Sequence, residues 1–259
     1  MELGLNGRTA IVCASSRGLG RACALALARE GVRVVINGTD TAALMRTADD
    51  IKRETKSEPM SVAADITTAE GRAKLLAAAP APDILINNAG GPPPGDFKDF
   101  SSEDWRKAVE GNMITPLALI HATVYGMMQR GFGRIVNITS ASIKHPIAAL
   151  ELSNGARLGL TGAVAVLARK ACKSNVTING ILPGPFDTDR LRGTTQKMAE
   201  ARKVAVSVVE EERKAAVPAG RFGTAEEFGS VVAFLCSTHA GYITGQNVLI
   251  DGGGYPGSL

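Results

Sequence analysis

The stretch Cys13-Ala14-Ser15-Ser16-Arg17-Gly18-Leu19-Gly20 carries the residue types and spacing of an anion site. A short apolar run precedes it, and a helical pattern begins inside it. A glycine-rich turn at such a junction leaves backbone N–H groups pointing outward at the positive end of the helix dipole, where a pyrophosphate can approach closely. Any tight strand-to-helix turn uses glycine, so a purely structural turn fits the same letters. Imidazole is the side chain for acid–base work near neutrality, and the chain has His121, His145 and His239. His145 stands next to Lys144 and ahead of Glu151 and Ser153, whereas His121 and His239 have no motif around them and read as structural or solvated. A solvent-exposed loop position is the plainer reading of His145. Cys13, Cys23, Cys172 and Cys236 form neither a CxxC pair nor a metal-ligand spacing and read as small buried hydrophobes. No HExxH or comparable cluster points to a metal.

Such residues need elements to position them. Short β-branched apolar runs at Thr9–Ala14, Val32–Asn37, Met60–Ala64, Ile84–Asn87, Arg134–Thr139, Val176–Ile181 and Val248–Ile250 predict seven strands. Helical periods lie between them; Leu19, Ala22, Cys23, Ala26 and Leu27 follow the i, i+3, i+4, i+7, i+8 rule. Repeated βα units predict an α/β fold: a doubly wound parallel sheet with helices on both faces. Two stretches break the rhythm. Gly90-Gly91-Pro92-Pro93-Pro94-Gly95 can be neither helix nor ladder. Residues 184–223, opening on Pro183-Gly184-Pro185, carry helical pattern but no strand, and form either a substrate lid or a surface excursion.

At roughly 150 residues per domain, the 259 residues allow one domain or two. No repeat, low-complexity tract or linker divides the chain, so residues 1–259 are expected to form a single domain. A composition of 45% hydrophobic and 21% charged residues excludes a disordered chain or a fibre. The 29 Lys+Arg against 25 Asp+Glu give +4 with no basic block, so neither nucleic acid nor a membrane surface is expected as a partner. Met1-Glu2-Leu3-Gly4 lacks the start of a signal peptide, and no run approaches the roughly 18 apolar residues of a membrane span. A soluble protein of a reducing, cytoplasmic compartment is expected.

From the turn onward the chain resembles the short-chain dehydrogenase/reductase (SDR) family, in particular its 3-oxoacyl-(acyl carrier protein) reductase-like members. The turn is similar to the family's TGxxxGxG. Asp65-Ile66 follows the third strand, where the family holds adenine, and Asn87-Asn88-Ala89-Gly90 matches the NNAG motif. Trp105 and Asn112 match a helix whose Asn belongs to the catalytic tetrad; Pro183-Gly184 with Thr188 matches the segment that closes over the nicotinamide. Gly245-Gln246 and Asp251-Gly252-Gly253 match the last strand. The resemblance implies a Rossmann fold and a dinucleotide site drawn from Ala14, Ser15, Ser16, Arg17, Gly18, Leu19, Gly20, Thr39, Asp65, Ile66, Asn88, Ala89, Gly90, Arg157, Pro183, Gly184 and Thr188.

Cys13-Ala14 stand where the family has Thr-Gly, and the Ala methyl group implies a backbone there that avoids φ > 0. An acid at the end of the second strand would favour NAD; that end reads Asn37-Gly38-Thr39, with Gly38 at the matching position. Arg17 sits where NADP-preferring members carry a base for the 2′-phosphate, and Thr39 could add a hydroxyl, so NADP(H) is expected over NAD. A solvated loop charge is the competing reading of Arg17.

In the family a nicotinamide exchanges hydride with a carbonyl or alcohol carbon. The Tyr of a YxxxK motif handles the proton, the Lys lowers its pKa and binds ribose, a Ser orients the carbonyl, and the helix Asn supports a proton-relay water. Ser140 and Asn112 match the Ser and the Asn. Thirteen residues past Ser140 the Tyr is replaced by Ser153, and the Lys four further on by Arg157. None of Tyr125, Tyr242 and Tyr255 has a Lys four residues on, so none takes over. A serine hydroxyl is far less acidic than a phenol of pKa about 10, and Arg is a permanent cation with a planar fork. Losing general acid catalysis costs about 10² to 10⁴ in rate. Three functions fit: an NADP(H)-linked oxidoreductase on a small organic carbonyl or alcohol or an activated C=C or C=N substrate, a non-redox lyase, dehydratase or isomerase, or a non-catalytic dinucleotide- or metabolite-binding module. The helices around residues 108–129 and 154–173 are rich in small residues that would also serve packing within one subunit; by resemblance they imply a homotetramer, or failing that a dimer.

Overall fold

Strands buried on both faces must be apolar along their whole length, and β1 (Thr9–Val12) is of this kind: Ala10, Ile11 and Val12 expose no surface. The computed structural model describes residues 2–257. With β1 it has β2 (Arg33–Gly38), β3 (Met60–Ala63), β4 (Ile84–Asn87), β5 (Gly133–Ile138), β6 (Val176–Pro183) and β7 (Asn247–Ile250). All neighbours run parallel in the order β3-β2-β1-β4-β5-β6-β7. Each observed strand lies within two residues of the predicted run at either end, as expected where hydrogen bonding frays; β1 stops at Val12, because Cys13 and Ala14 already turn.

Alternation along a strand sends successive side chains to opposite faces, and the core divides accordingly. Ala10 and Val12 face α1 (Gly18–Arg29), α2 (Thr41–Thr55) and α9 (Ala225–Cys236) through Leu27, Leu44, Ile51, Phe228 and Val232. Ile11 and Cys13 face α3 (Ala69–Ala78), α5 (Thr115–Arg130) and α6 (Glu151–Ala171) through Leu75, Leu119, Val124, Leu160 and Val164. Three cysteines are buried as expected, but Cys172 is exposed: it lies past the end of α6, where a short turn swings its thiol onto the Arg169 carbonyl. Burial pushes the Cys13 and Cys236 thiols up to about 12, which leaves them protonated and inert.

The Gly90–Gly95 stretch is coil, and α4 (Ser102–Val109) follows it. A π-helical turn at Glu110–Ile114 joins α4 to α5. Two further helices, α7 (Asp189–Arg202) and α8 (Val206–Ala215), fill the 184–223 segment, which is tied back by the parallel bridge of Phe186 to Gly223 and by Gly184 N–H to the Ile250 carbonyl (2.8 Å). No helix among the described residues is long and apolar enough to cross a membrane. Strand order reverses at β1, so the crevice at the carboxyl ends of β1 and β4 is where a ligand of such a sheet sits.

Candidate active site

The turn after β1 is held from both sides. Asn37 at the end of β2 accepts the Ala14 N–H on Oδ1 (3.4 Å) and the Ser15 N–H on its carbonyl (2.7 Å). Asn88 after β4 donates from Nδ2 to the Ala14 carbonyl (3.1 Å). A Cβ on Gly20 would overlap that same carbonyl, so only glycine lets α1 begin this close to the turn. Among the described residues, the first turn of α1 has no side-chain cap and no acidic residue, which leaves orphan N–H groups at its positive end. A pyrophosphate fits that set of donors.

Ala14 corrects an expectation: its φ is 43°, inside the left-handed region it was expected to avoid. Three hydrogen bonds to Ala14 and Ser15 from fixed asparagines determine the turn, and they outweigh the roughly 1–2 kcal/mol that a Cβ costs there.

At the adenosine end, Asp65 is exposed with its Oδ1 on Thr67, and Ile66 is buried beneath it. A Cβ at Gly38 would come within 2.9 Å of Ser16 Oγ, so Ser16 fills the place where an acid would start. Thr39 and Arg17 are exposed, and Arg17 forms an ion pair with Asp40, which also caps α2 through the Ala43 N–H. Asp40 was absent from the sequence reading; its helix-capping position one residue past Thr39 is the signal that could have found it. Across the crevice Thr188 caps α7 through the Leu191 N–H, and its methyl lies 3.7 Å from where a Cβ on Gly18 would stand. Ala89, Gly90, Pro183 and Gly184 line the same carboxyl edge, none of them fully buried.

The chemical end is built on α6. Gly155 and Gly159, one turn apart, lie against Trp105 and Met113, so α4 and the π-turn pack onto α6 without intervening side chains. Asn112 sits in that π-turn, donates to the Ala108 carbonyl (3.3 Å), and keeps a buried Oδ1 with no partner among the described residues. Arg157 is 8% exposed; its Nε donates to Ser153 Oγ (3.1 Å) and its Nη1 to the Ile138 carbonyl at the end of β5 (2.9 Å). Ser140, two residues past Ile138, is half-buried and accepts the Ser142 N–H (3.1 Å). Ser153 and Arg157 thus meet at the end of β5, two residues short of Ser140, while Asn112 lies on the π-turn that packs against the same helix. Burial, and then repulsion from Arg190, lower the Arg157 pKa to about 10, so it remains a cation at neutral pH.

His145 and Lys144 are exposed on the loop leaving Ser140, and the His145 ring leans on Tyr255 at 6.4 Å. Glu151 accepts the Ala149 N–H on one oxygen and buries the other without a partner among the described residues. His121 is exposed on α5, and exposed His239 meets the Glu2 carbonyl (2.7 Å). No cluster of metal-ligating side chains occurs among the described residues. Exposed Arg190 lays its guanidinium over Gly91 at the rim of the crevice, and nothing in the run Asp-Arg-Leu-Arg says which arginine does so.

The strand order, with its bounded turn at the switch point, defines a Rossmann-type protein. A family model described as enoyl-(acyl carrier protein) reductase matches residues 13–254, and the chain belongs to that family, within the short-chain dehydrogenases/reductases. It is 31% identical over 258 residues to the 3-oxoacyl-(acyl-carrier-protein) reductase FabG of Aquifex aeolicus, covering 98% of this chain and 99% of that one. Among solved structures it is similar to L-sorbose reductase from Gluconobacter frateurii complexed with NADPH and L-sorbose (TM-score 0.93, 27% identity, 99% of this chain and 100% of that one). It is also similar to YwfH, an NADPH dependent reductase involved in bacilysin biosynthesis (TM-score 0.90, 30% identity, 96% and 99%).

The Ala14 conformation yields a stability prediction. Ala14→Gly removes the left-handed strain of about 1–2 kcal/mol and adds about 0.4–1 kcal/mol of unfolded-state entropy, for a net gain of up to about 1.5 kcal/mol. Urea denaturation should show a higher midpoint; a lower one would mean that the Ala methyl contributes packing that outweighs its strain.

Proposed function

We propose that the protein is an NADP(H)-dependent oxidoreductase whose substrates carry an activated hydride acceptor. The observation that carries this reading is a phosphate turn kept rigid by Asn37 and Asn88 beside a catalytic position occupied by Ser153. The uncapped first turn of α1 and Thr188 would hold the pyrophosphate, Asp65 and Ile66 the adenine, and Arg157 the ribose. When bound, NADPH supplies a hydride. The 2′-phosphate would draw Arg17 from its exposed pair with Asp40, a pair worth little in water.

Ser140 orients the substrate oxygen at the end of β5, and Asn112 offers its free Oδ1 to a water or donor. Ser153 already accepts a hydrogen bond from a cation, which makes its hydroxyl a better donor; it remains a far weaker acid than a phenol. Acceptors that need no acid at the moment of hydride arrival suit this site. A conjugated alkene gives a stabilised enolate that water can protonate later, and an iminium gives a neutral amine. Water or exposed His145 supplies the proton where one is needed. Residues 184–223, with α7 and α8, act as the lid over the substrate. Exposed Ile114, Tyr125, Leu158 and Val166 on the π-turn, α5 and α6 support association into a homotetramer.

Two measurements follow. Arg17→Ala should weaken NADPH binding about tenfold, the loss of one charge-assisted contact, and leave NADH affinity unchanged; equal effects on both would remove Arg17 from the 2′-phosphate. NADPH oxidation should run at least about 10²-fold faster with conjugated enones or cyclic iminium ions than with simple ketones, and Ser153→Tyr with Arg157→Lys should raise the ketone rate by a similar factor. An inert double variant, or equal wild-type rates on all acceptors, would contradict a missing acid.

A further inference from the structure

After β7 the chain crosses the carboxyl edge of the sheet once more. Asp251 starts this segment: its Oδ1 accepts the Gly253 N–H (3.0 Å) and its Oδ2 the Tyr255 N–H (2.7 Å), which folds the backbone into a tight turn. The turn is seated on two neighbours. A Cβ on Gly184, just past β6, would stand 2.6 Å from Asp251, and the Gly252 carbonyl accepts the Ala219 N–H (3.0 Å) near the end of the 184–223 segment. β7 is an edge strand beside β6, with β5 beyond. The Tyr255 ring nevertheless meets the His145 ring, on the loop that leaves β5, at 6.4 Å and 59°. The segment therefore spans the carboxyl end of β6, where the crevice has its chemical end. Tyr255 is half-buried between exposed Gly254 and Pro256, and a Cβ on Gly257 would stand 2.5 Å from its phenol oxygen.

The ring contact lies close to the residue assigned to the substrate oxygen. His145 is five residues past Ser140, and its N–H donates to the Ala141 carbonyl (3.2 Å). The loop continues as Pro146-Ile147-Ala148-Ala149, four exposed apolar residues, with Ile147 41% exposed. The Gly95 N–H reaches the Ala149 carbonyl (3.0 Å), which brings the proline run after β4 against the same loop. Neither stretch carries a charge, and Glu151, the next acid along, places one oxygen on the Ala149 N–H. Apolar surface at the rim of a ligand crevice gains by being covered. Two aromatic rings there offer a third one edge-on or offset contact, at centroid separations of about 4.5–7 Å.

We infer that Tyr255 and the 145–149 loop form a subsite for an aromatic group on the substrate, so that the protein acts on aryl-substituted acceptors rather than on small polar ones. The ring of Tyr255, not its hydroxyl, is what the subsite uses. The inference rests on the crevice being the active site of an NADP(H)-linked enzyme and adds what binds beyond the reacting carbon. A conjugated enone takes hydride from NADPH at its β-carbon and a proton from water at its α-carbon, giving the saturated ketone and NADP⁺. An aryl group on that β-carbon would rest on Tyr255 while Ser140 holds the oxygen.

Calorimetry on the full chain saturated with NADP⁺ tests it, with trans-4-phenylbut-3-en-2-one and trans-pent-3-en-2-one as probes. The aryl ketone should bind at least about tenfold tighter. Tyr255→Ala should cut that preference to about twofold and leave the NADP⁺ affinity within about twofold, whereas Tyr255→Phe, which keeps the ring, should retain it. In turnover with NADPH, Tyr255→Ala should raise KM for the aryl ketone about tenfold with kcat nearly unchanged; a fall in kcat for both ketones would make the segment merely structural and overturn the subsite. Equal binding of the two ketones by the wild-type protein, binding of neither, a preference that survives Tyr255→Ala or one that Tyr255→Phe abolishes would also overturn it. Should the wild-type protein bind no nucleotide, the oxidoreductase reading fails separately. The ketones are then titrated alone, and a Tyr255-dependent preference sustains the subsite while its absence overturns it.

Discussion

The Ala14 carbonyl, held at 3.1 Å by the Asn88 amide, is the contact on which the crevice depends. It ties the end of β4 to the end of β1 across the point where strand order reverses. It also fixes the carbonyl against which Gly20 must pack, and so fixes where α1 starts. With Asn37 holding the same turn from the other side, the strand ends and the helix N-terminus form one rigid frame. The orphan N–H groups of α1 then keep a constant position relative to Ser140, which sits at the end of the neighbouring β5. The left-handed Ala14 shows how firmly that frame is imposed: the backbone keeps its path even with a methyl group in the way.

The chemical end follows a different logic. Where the resemblance leads one to expect a Tyr and a Lys, the structure has a serine hydroxyl bonded to a permanent cation. Arg157 cannot tune a proton donor as a lysine beside a tyrosine does, but it can bind and orient. Buried beside the Ile138 carbonyl, it adds a fixed positive charge to this end of the crevice. On the proposed reading, a site of this kind suits substrates whose hydride acceptor is already activated.

Most of the frame was legible in the sequence because it rests on periodicity and glycine. β-branched runs such as Val34-Val35-Ile36 belong in a sheet buried on both faces, and Gly18 and Gly20 mark the turn. Ala14 was misread because residue type reports a preference, whereas φ is set by Asn37 at the end of β2 and Asn88 just past β4. Cys172 was misread because a cysteine just past a helix end has no period to show which way it faces. Asn112 was found by resemblance, but its π-turn and unpartnered Oδ1 depend on how α4 and α5 meet over Gly155 and Gly159. Which arginine lies over Gly91 was hidden for the same kind of reason: the choice between Arg190 and Arg192 is made by where Asp187 and Asp189 fall around α7.

The central claim is that the dinucleotide crevice is functional although the proton donor is gone. Calorimetric titration of the purified protein with NADPH and with NADH tests it most directly. Saturable binding of NADPH, tighter than that of NADH by about tenfold, is the predicted result. Absence of heat with either nucleotide would contradict the account: the strained Ala14 turn would then be a disabled phosphate site, and the protein's chemistry would lie outside hydride transfer.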